Sequence, residues 1–276
     1  GVPADMEAIN ALARAEGLFV IEDCAHALGA VYQDQPVGNF GDAALFTFAM
    51  SKNMPCWGGG AIVVKDRDLA EGMRARIDHV NIPPAPAILK RQLSNIPGIF
   101  FTQRLLFPWT LYPALRIADL TGSDYFDRPF FEEISVPQPS GDLSDRPGAK
   151  RYRSVAHKSG ITGMAPFQAA VGLRQLRKFP DRLNRQVENA RRLRGALRAC
   201  PGIQLQQEPS EISSSFLYVR GRVKDPSMTR EVLLRAGIDT KPDDMSDCSS
   251  LDIFESNESC PTAGYLGGHC IELHCY

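Results

Sequence analysis

Three short apolar runs, GLFVIED (17–23), AALFTFA (43–49) and GAIVV (60–64), alternate with helical patterns and restrict this chain more than any other feature. An apolar run closed by acids reads as a strand buried on both faces of a parallel sheet. Before the first run, Met6, Ile9, Leu12 and Ala13 recur at helical spacing and Gly17 ends the helix; after the third, DRDLAEGMRARI reads as another helix. Strands alternating with helices in this way predict an α/β fold with a mostly parallel sheet flanked by helices.

Beyond Ile77 the pattern changes. From Asn81 to about Ser159 the chain is punctuated by proline and rich in aromatics, with apolar helical pieces and then the polar stretch SVPQPSGDLSDRPGAK, which predicts an insertion or a lid. FQAAVGLRQLRKF and RLNRQVENARRLRGALRAC read as amphipathic helix interrupted at Pro180. SFLYVR, TREVLLRAG and IDTKP follow as strand, helix and strand. The expected organisation is part of a large α/β domain over 1–80, the insertion over 81–160, and a long helix with a smaller C-terminal α+β domain over 161–276.

Composition narrows the function classes. With 31 Lys plus Arg against 32 Asp plus Glu in 276 residues, no global field favours nucleic acid or an anionic membrane, so specificity must sit in a site. Seven cysteines without a CxxC pair or a disulfide rhythm suit reduced thiols in a cytoplasmic protein, and no metal site is expected. The N-terminus lacks the pattern of a secretory signal. The apolar stretch 96–118 is broken by Arg104, Arg116 and three prolines, so no transmembrane segment is expected, and peripheral association stays open. Both ends read as cut, which predicts a fragment.

If the strands are right, Asp23, Thr47 and Lys52 share the carboxyl edge of the sheet, where open α/β sheets bind ligands. An aldehyde cofactor such as pyridoxal 5'-phosphate needs a lysine amine for its aldimine and an acid to keep the pyridine nitrogen protonated, and Lys52 and Asp23 could supply both. Two plainer readings stand beside this one. A lysine near glycines is commonly a solvated loop residue, and an aspartate at a strand end is often a helix cap. Gly58, Gly59 and Gly60 fit neither GxxxxGK[ST] nor GxGxxG, so they predict a tight backbone turn rather than a nucleotide loop.

The segment VIEDCAHALGAVYQDQPVGNFGDAALFTFAMSKNMPCWGGGAIVVKDRDLAEGMR resembles the core of the sugar-nucleotide aminotransferases of the DegT–StrS type, which have the aspartate-aminotransferase-like fold. The likeness covers about residues 1–80, resumes at GMAPFQAAVGLRQL and is faint at CPTAGYL. It implies Asp23 as the acid paired with the pyridine, His26 near the cofactor's phenolic oxygen, Thr47 as a phosphate-binding hydroxyl and Lys52 as the Schiff-base amine. A buried histidine satisfied by the backbone is the plainer reading of His26.

The resemblance further implies glutamate as donor, a keto group on a nucleotide-activated sugar as acceptor, and a homodimer. The sequence departs from the family at TFAM, where SFHP is usual, and at GITGMAPF, where an Asn-Tyr-Arg run is usual; Ile161 cannot donate the hydrogen bond of that asparagine. Arg151, Tyr152, Arg153, His157 and Lys158 could bring charge to a phosphate or form a surface charge run. A non-catalytic homologue with a regulatory or structural role is the second reading. A nucleotide-cofactor oxidoreductase would need a glycine-rich first turn, which the chain lacks.

Overall fold

The computed structural model describes residues 2–93, 100–101, 105–110, 112–114, 117, 162–238, 240–242 and 260–275. The chain divides into two compact units, one of residues 1–90, 161–222 and 272–276, the other of residues 91–160 and 223–271. Arg151, Tyr152, Arg153, His157, Lys158 and Ile161 lie outside the described residues, as does most of the expected insertion.

Helix α1 (Met6–Glu16) starts where Asp5 Oδ1 accepts the Ala8 N–H at 3.1 Å and stops at Gly17, whose φ of 65° is the left-handed cap that glycine favours. Strand β1 (Ile21–Asp23) pairs in parallel with β4 (Ala43–Thr47), placing Asp23 opposite Leu45. The next strand, β5 (Gly60–Val64), runs antiparallel to β4 with Thr47 opposite Gly60. The sheet order is β1-β4-β5, and α2 (Arg67–Ile77) follows, capped by Asp66. The mixed α/β class is thus as expected from the sequence.

Strand β1 is shorter and less covered than GLFVIED predicts. Only three residues pair, and Leu18, Phe19 and Ile21 are 61%, 56% and 61% exposed. Among the described residues β1 lies at the edge of its sheet, and its buried residue is not an isoleucine but Glu22. A second small sheet is built from β2 (Val31–Tyr32) and β3 (Gln35–Pro36), joined through Gln33 and Asp34, both at positive φ as a tight hairpin turn requires. β2 also pairs with β7 (Ile212–Ser213).

The helix expected to break at Pro180 does not. α4 (Pro166–Leu197) is continuous for 32 residues, with α3 (Ala85–Leu93) preceding it in the chain. A proline inside a helix removes one backbone hydrogen bond and crowds the preceding turn. Here contacts on both sides of it hold the helical path. Phe179 is buried with Met54 and Cys56, the Arg182 guanidinium donates to Gln175 Oε1 at 2.7 Å and to the Asn53 carbonyl, and Gln186 is buried among polar partners. At the helix start, Gln168 Oε1 accepts the Ala165 N–H at 2.9 Å while its Nε2 donates to the Trp57 carbonyl at 2.8 Å.

After α4, strand β6 (Ile203–Leu205) and strand β10 (Cys270–His274) flank β8 (Tyr218–Val223). Across β8 and β10, Arg220 Nε donates to Glu272 Oε1 at 2.7 Å, a charge pair whose carboxylate is almost fully buried. The other unit contributes α5 (Pro226–Arg235), capped by Asp225, a two-residue strand β9 (Lys241–Pro242) where IDTKP was expected to be extended, and α6 (Pro261–Gly267). No described helix is long and apolar enough to cross a membrane.

Candidate active site

The stretch from Phe48 to Gly59 forms a loop closed at its neck. Phe48 N–H donates to the Gly59 carbonyl at 2.9 Å, and the Phe48 carbonyl accepts from Cys56 N–H at 2.9 Å and Gly58 N–H at 3.2 Å. Returning the chain to the neck takes three successive residues at positive φ, Trp57 (63°), Gly58 (104°) and Gly59 (89°), which is why glycines stand there. They are a backbone turn, as the sequence predicts.

Inside the loop the chain is packed rather than solvated. Asn53, Met54 and Cys56 are buried, and Asn53 is held on three sides: its Nδ2 donates to the Leu28 carbonyl at 3.1 Å, its Oδ1 accepts from Gln186 Nε2 at 3.1 Å, and its carbonyl accepts from Arg182. Gln186 Nε2 also donates to the Ser215 and Phe216 carbonyls, at 2.9 and 2.8 Å. Unpaired, such buried amides would each cost about 1–3 kcal/mol, so this network fixes the loop against α4. Its consequence is positional. Lys52, one residue before Asn53, is half-buried and hydrogen-bonded through Nζ to His26 Nε2.

His26 reaches Lys52 from the turn that follows β1. Burial and then the Lys52 cation push its pKa down from 6.5 to about 4, with the Asp23 carboxylate opposing them. The imidazole is therefore neutral at physiological pH, and Nε2 can accept from the Lys52 amine. Its ring also meets Tyr218 edge-on at 6.3 Å, and Tyr218 meets His274 at 5.2 Å, so strands β8 and β10 back the histidine. Asp23 stands exposed at the carboxyl end of β1 with Oδ1 accepting the Ala25 N–H at 2.9 Å, a turn-capping bond that occupies one of its two oxygens. Thr47 is half-buried at the same end of the parallel neighbour β4.

Of the four residues singled out in the sequence, Lys52 and His26 are in direct contact, and Asp23 is near enough to act on His26 electrostatically. Thr47 shares their sheet edge through strand register. Asn53, Arg182 and Gln186 were missed. Their signal was weak: Asn53 adjoins Lys52, but partners more than a hundred residues away leave no local pattern. As a donor set, a primary amine, a neutral imidazole, a carboxylate and a hydroxyl suit an aldehyde cofactor that carries a ring nitrogen and a phosphate.

His26 makes stability depend on pH. Its folded pKa lies below its unfolded value, so the unfolded chain binds the extra proton first, and the stability contributed by the neutral ring is fully present above 6.5. It is lost as pH falls from 6.5 towards 4. The thermal midpoint of the cofactor-free protein should drop on acidification through that window, and His26→Gln should flatten this component of the pH profile. An unchanged profile in the variant would show that His26 is not its source.

The chain is similar to known proteins in sequence and in fold. A UDP-N-acetyl-3-dehydro-alpha-D-glucosamine 3-aminotransferase from Acidithiobacillus ferrooxidans is 49% identical over 80 residues, 29% of this chain and 22% of that protein. The spore coat polysaccharide biosynthesis protein SpsC of Bacillus subtilis is 28% identical over 203 residues, 74% of this chain and 38% of its own. Among solved structures, the sugar aminotransferase CalS13 from Micromonospora echinospora superposes with a TM-score of 0.64 at 19% identity, covering 99% of this chain and 59% of that one, which establishes the shared fold. The chain thus spans less than two thirds of the length of each. Residues 1–82 and 145–276, including all four candidate site residues, match the DegT/DnrJ/EryC1/StrS aminotransferase family, and the chain belongs to it.

Proposed function

We propose that the protein carrying this chain transfers an amino group from glutamate to a keto group of a nucleotide-activated sugar, using pyridoxal 5'-phosphate held by Asp23, His26, Thr47 and Lys52. The observation that carries the reading is the Lys52–His26 contact at the carboxyl edge of the sheet, beside the strand end that bears Asp23. When bound, the cofactor supplies an electron sink that lets a proton leave the carbon bearing the amine.

The chain's residues serve that chemistry in separate ways. Asp23 would set its carboxyl group against the cofactor's ring nitrogen, where a nearby acid favours the protonated ring. His26, neutral and half-buried, accepts from Lys52 Nζ and limits where that amine can point. Lys52 Nζ is the amine that would hold the cofactor's aldehyde covalently and, when free, would carry the proton removed from the donor's α-carbon. Thr47 offers its hydroxyl to the phosphate. The names of relatives acting on activated sugars support the substrate class, and a homodimer is proposed from the same kinship.

The test is a transfer assay. Glutamate with a panel of UDP-, GDP- and dTDP-linked ketosugars should yield one amino sugar and 2-oxoglutarate in equal amounts. Cofactor binding without transfer to any of them would instead favour the second reading, a cofactor-binding homologue with a regulatory role. That reading draws its support from GITGMAPF, where Ile161 cannot donate to a phosphate.

A further inference from the structure

The balanced charge of the whole chain hides a local excess. Between Asp78 and Asp119 the sequence carries Lys90, Arg91, Arg104 and Arg116 and no acid, while the remainder of the chain has more acids than bases. Phe100, Phe101, Phe107, Trp109 and Tyr112 crowd into the same stretch. Most of it falls between residues 82 and 145, the part that the family match leaves out, so the shared fold does not account for it.

The described residues here form a hydrogen-bonded turn that turns apolar side chains outward. Phe107–Trp109 is a single 3-10 turn. Behind it the Leu106 carbonyl accepts from the Trp109 and Thr110 N–H groups, both at 3.0 Å, and from Thr110 Oγ1 at 2.7 Å. The Phe101 carbonyl lies 3.4 Å from the same hydroxyl, which ties the two phenylalanines to the turn. Phe107 and Tyr112 are half-buried, with ring centroids 6.2 Å apart. Their neighbours face the other way: Leu105 and Trp109 are each 84% exposed, and Phe100 and Phe101, whose rings meet edge-on at 5.6 Å, are exposed as well. Large apolar side chains gathered on a fixed surface mark a place of contact.

Charge and ring chemistry together select the partner. Lysine and arginine without interspersed acids complement an anionic plane, and tryptophan, an apolar ring with one polar tip, favours the headgroup level of a bilayer. Arg104, Arg116 and three prolines keep residues 96–118 from crossing the hydrocarbon, so the contact is with one face. We propose that the turn bearing Phe100, Phe101, Leu105 and Trp109 docks on a bilayer surface rich in anionic lipid, with Leu105 and Trp109 entering the headgroup layer and the positive charge of the segment drawing it there. This goes beyond the amino-transfer reading and does not depend on it: it concerns where the protein works.

Co-sedimentation of the full-length protein with vesicles tests it. The protein should bind vesicles of equal parts phosphatidylglycerol and phosphatidylcholine, bind phosphatidylcholine alone more weakly, and lose the difference as salt rises. Leu105→Glu and Trp109→Glu should each lower partitioning into the anionic vesicles about tenfold or more. Because both side chains are exposed, the variants should keep the wild-type circular dichroism and thermal midpoint. Fluorescence locates the contact: of the two tryptophans, Trp57 and Trp109, only the second should move to shorter wavelength on adding anionic vesicles, so Trp109→Phe should remove the shift and Trp57→Phe should keep it. Absence of wild-type binding to the anionic vesicles, partitioning within twofold of wild type in both glutamate variants, or a shift that survives Trp109→Phe overturns the proposal. So does a lipid-free dimer that Leu105→Glu takes apart, which would give this surface to a second copy of the chain.

Discussion

Lys52→Ala should abolish covalent retention of pyridoxal phosphate. After borohydride reduction and digestion, the wild-type peptide containing residue 52 should carry the phosphopyridoxyl mass, and no peptide of the variant should. Amino transfer should fall by about 10²–10⁴-fold from the lost proton carrier alone, and further from the lost anchor. Lys52→Arg separates charge from nucleophilicity: it keeps a cation beside His26 but has no amine that can add to an aldehyde, so it should be as inactive as the alanine variant. A second readout follows from electrostatics. The Lys52 cation is the second-largest cause of the depressed His26 pKa, so in Lys52→Ala that pKa should rise from about 4 towards 6.5, while burial keeps it from arriving. Labelling of some other lysine in Lys52→Ala would remove Lys52 from the anchoring role altogether.

How much of this was legible in the sequence depends on the range of the interactions involved. Helix α1, its Gly17 stop and the Asp66 start of α2 rest on local chemistry, caps and periodicity within a few residues, and could be read directly. The loop bearing Lys52 was legible for the same reason, because positive φ at Gly58 and Gly59 leaves a compositional trace. Continuity of α4 through Pro180 was not. Local propensity argues for a break, and what outvotes it comes from Asn53, Met54 and Cys56, a domain's length away in sequence. The apolar run 18–21 misled in the opposite sense, since hydrophobicity reports a capacity for burial and not the presence of a neighbour; Ile21 lies on an edge strand and faces outward. For the site, residue types carried Asp23 and Lys52 only as far as a possibility. Strand ends put Thr47 at the same edge, family likeness gave it a phosphate role and added His26, and the side-chain contact supplied what neither could, that His26 and Lys52 meet.

Glu22→Ala should cost about 4 kcal/mol or more in stability, a larger effect than its place beside an exposed strand edge suggests. Glu22 is 7% exposed and accepts three backbone N–H bonds, from Phe40 and Gly41 at Oε1, both at 2.7 Å, and from Gly38 at Oε2, at 2.8 Å. Each is charge-assisted, and alanine would leave three buried or half-buried donors without a partner at about 1–3 kcal/mol apiece. Nor can the loop close over the gap, because Gly41 already approaches the backbone so tightly that a Cβ there would lie 2.8 Å from the Val20 carbonyl oxygen. Glu22→Gln gives the finer test. Its one carbonyl oxygen can still serve Phe40 and Gly41, but its amide would face the Gly38 N–H donor to donor, so about half the loss is expected. Hydrogen exchange should then rise selectively at Gly38 and stay slow at Phe40 and Gly41. Equal urea midpoints for Glu22→Ala and wild type would show that water replaces the carboxylate at no cost. Because Asp23 is the next residue and His26 follows three positions later, a loosened Glu22 should also blunt the site: cofactor affinity should fall in Glu22→Gln although no atom of residue 22 lines either cleft beside Lys52 or His26.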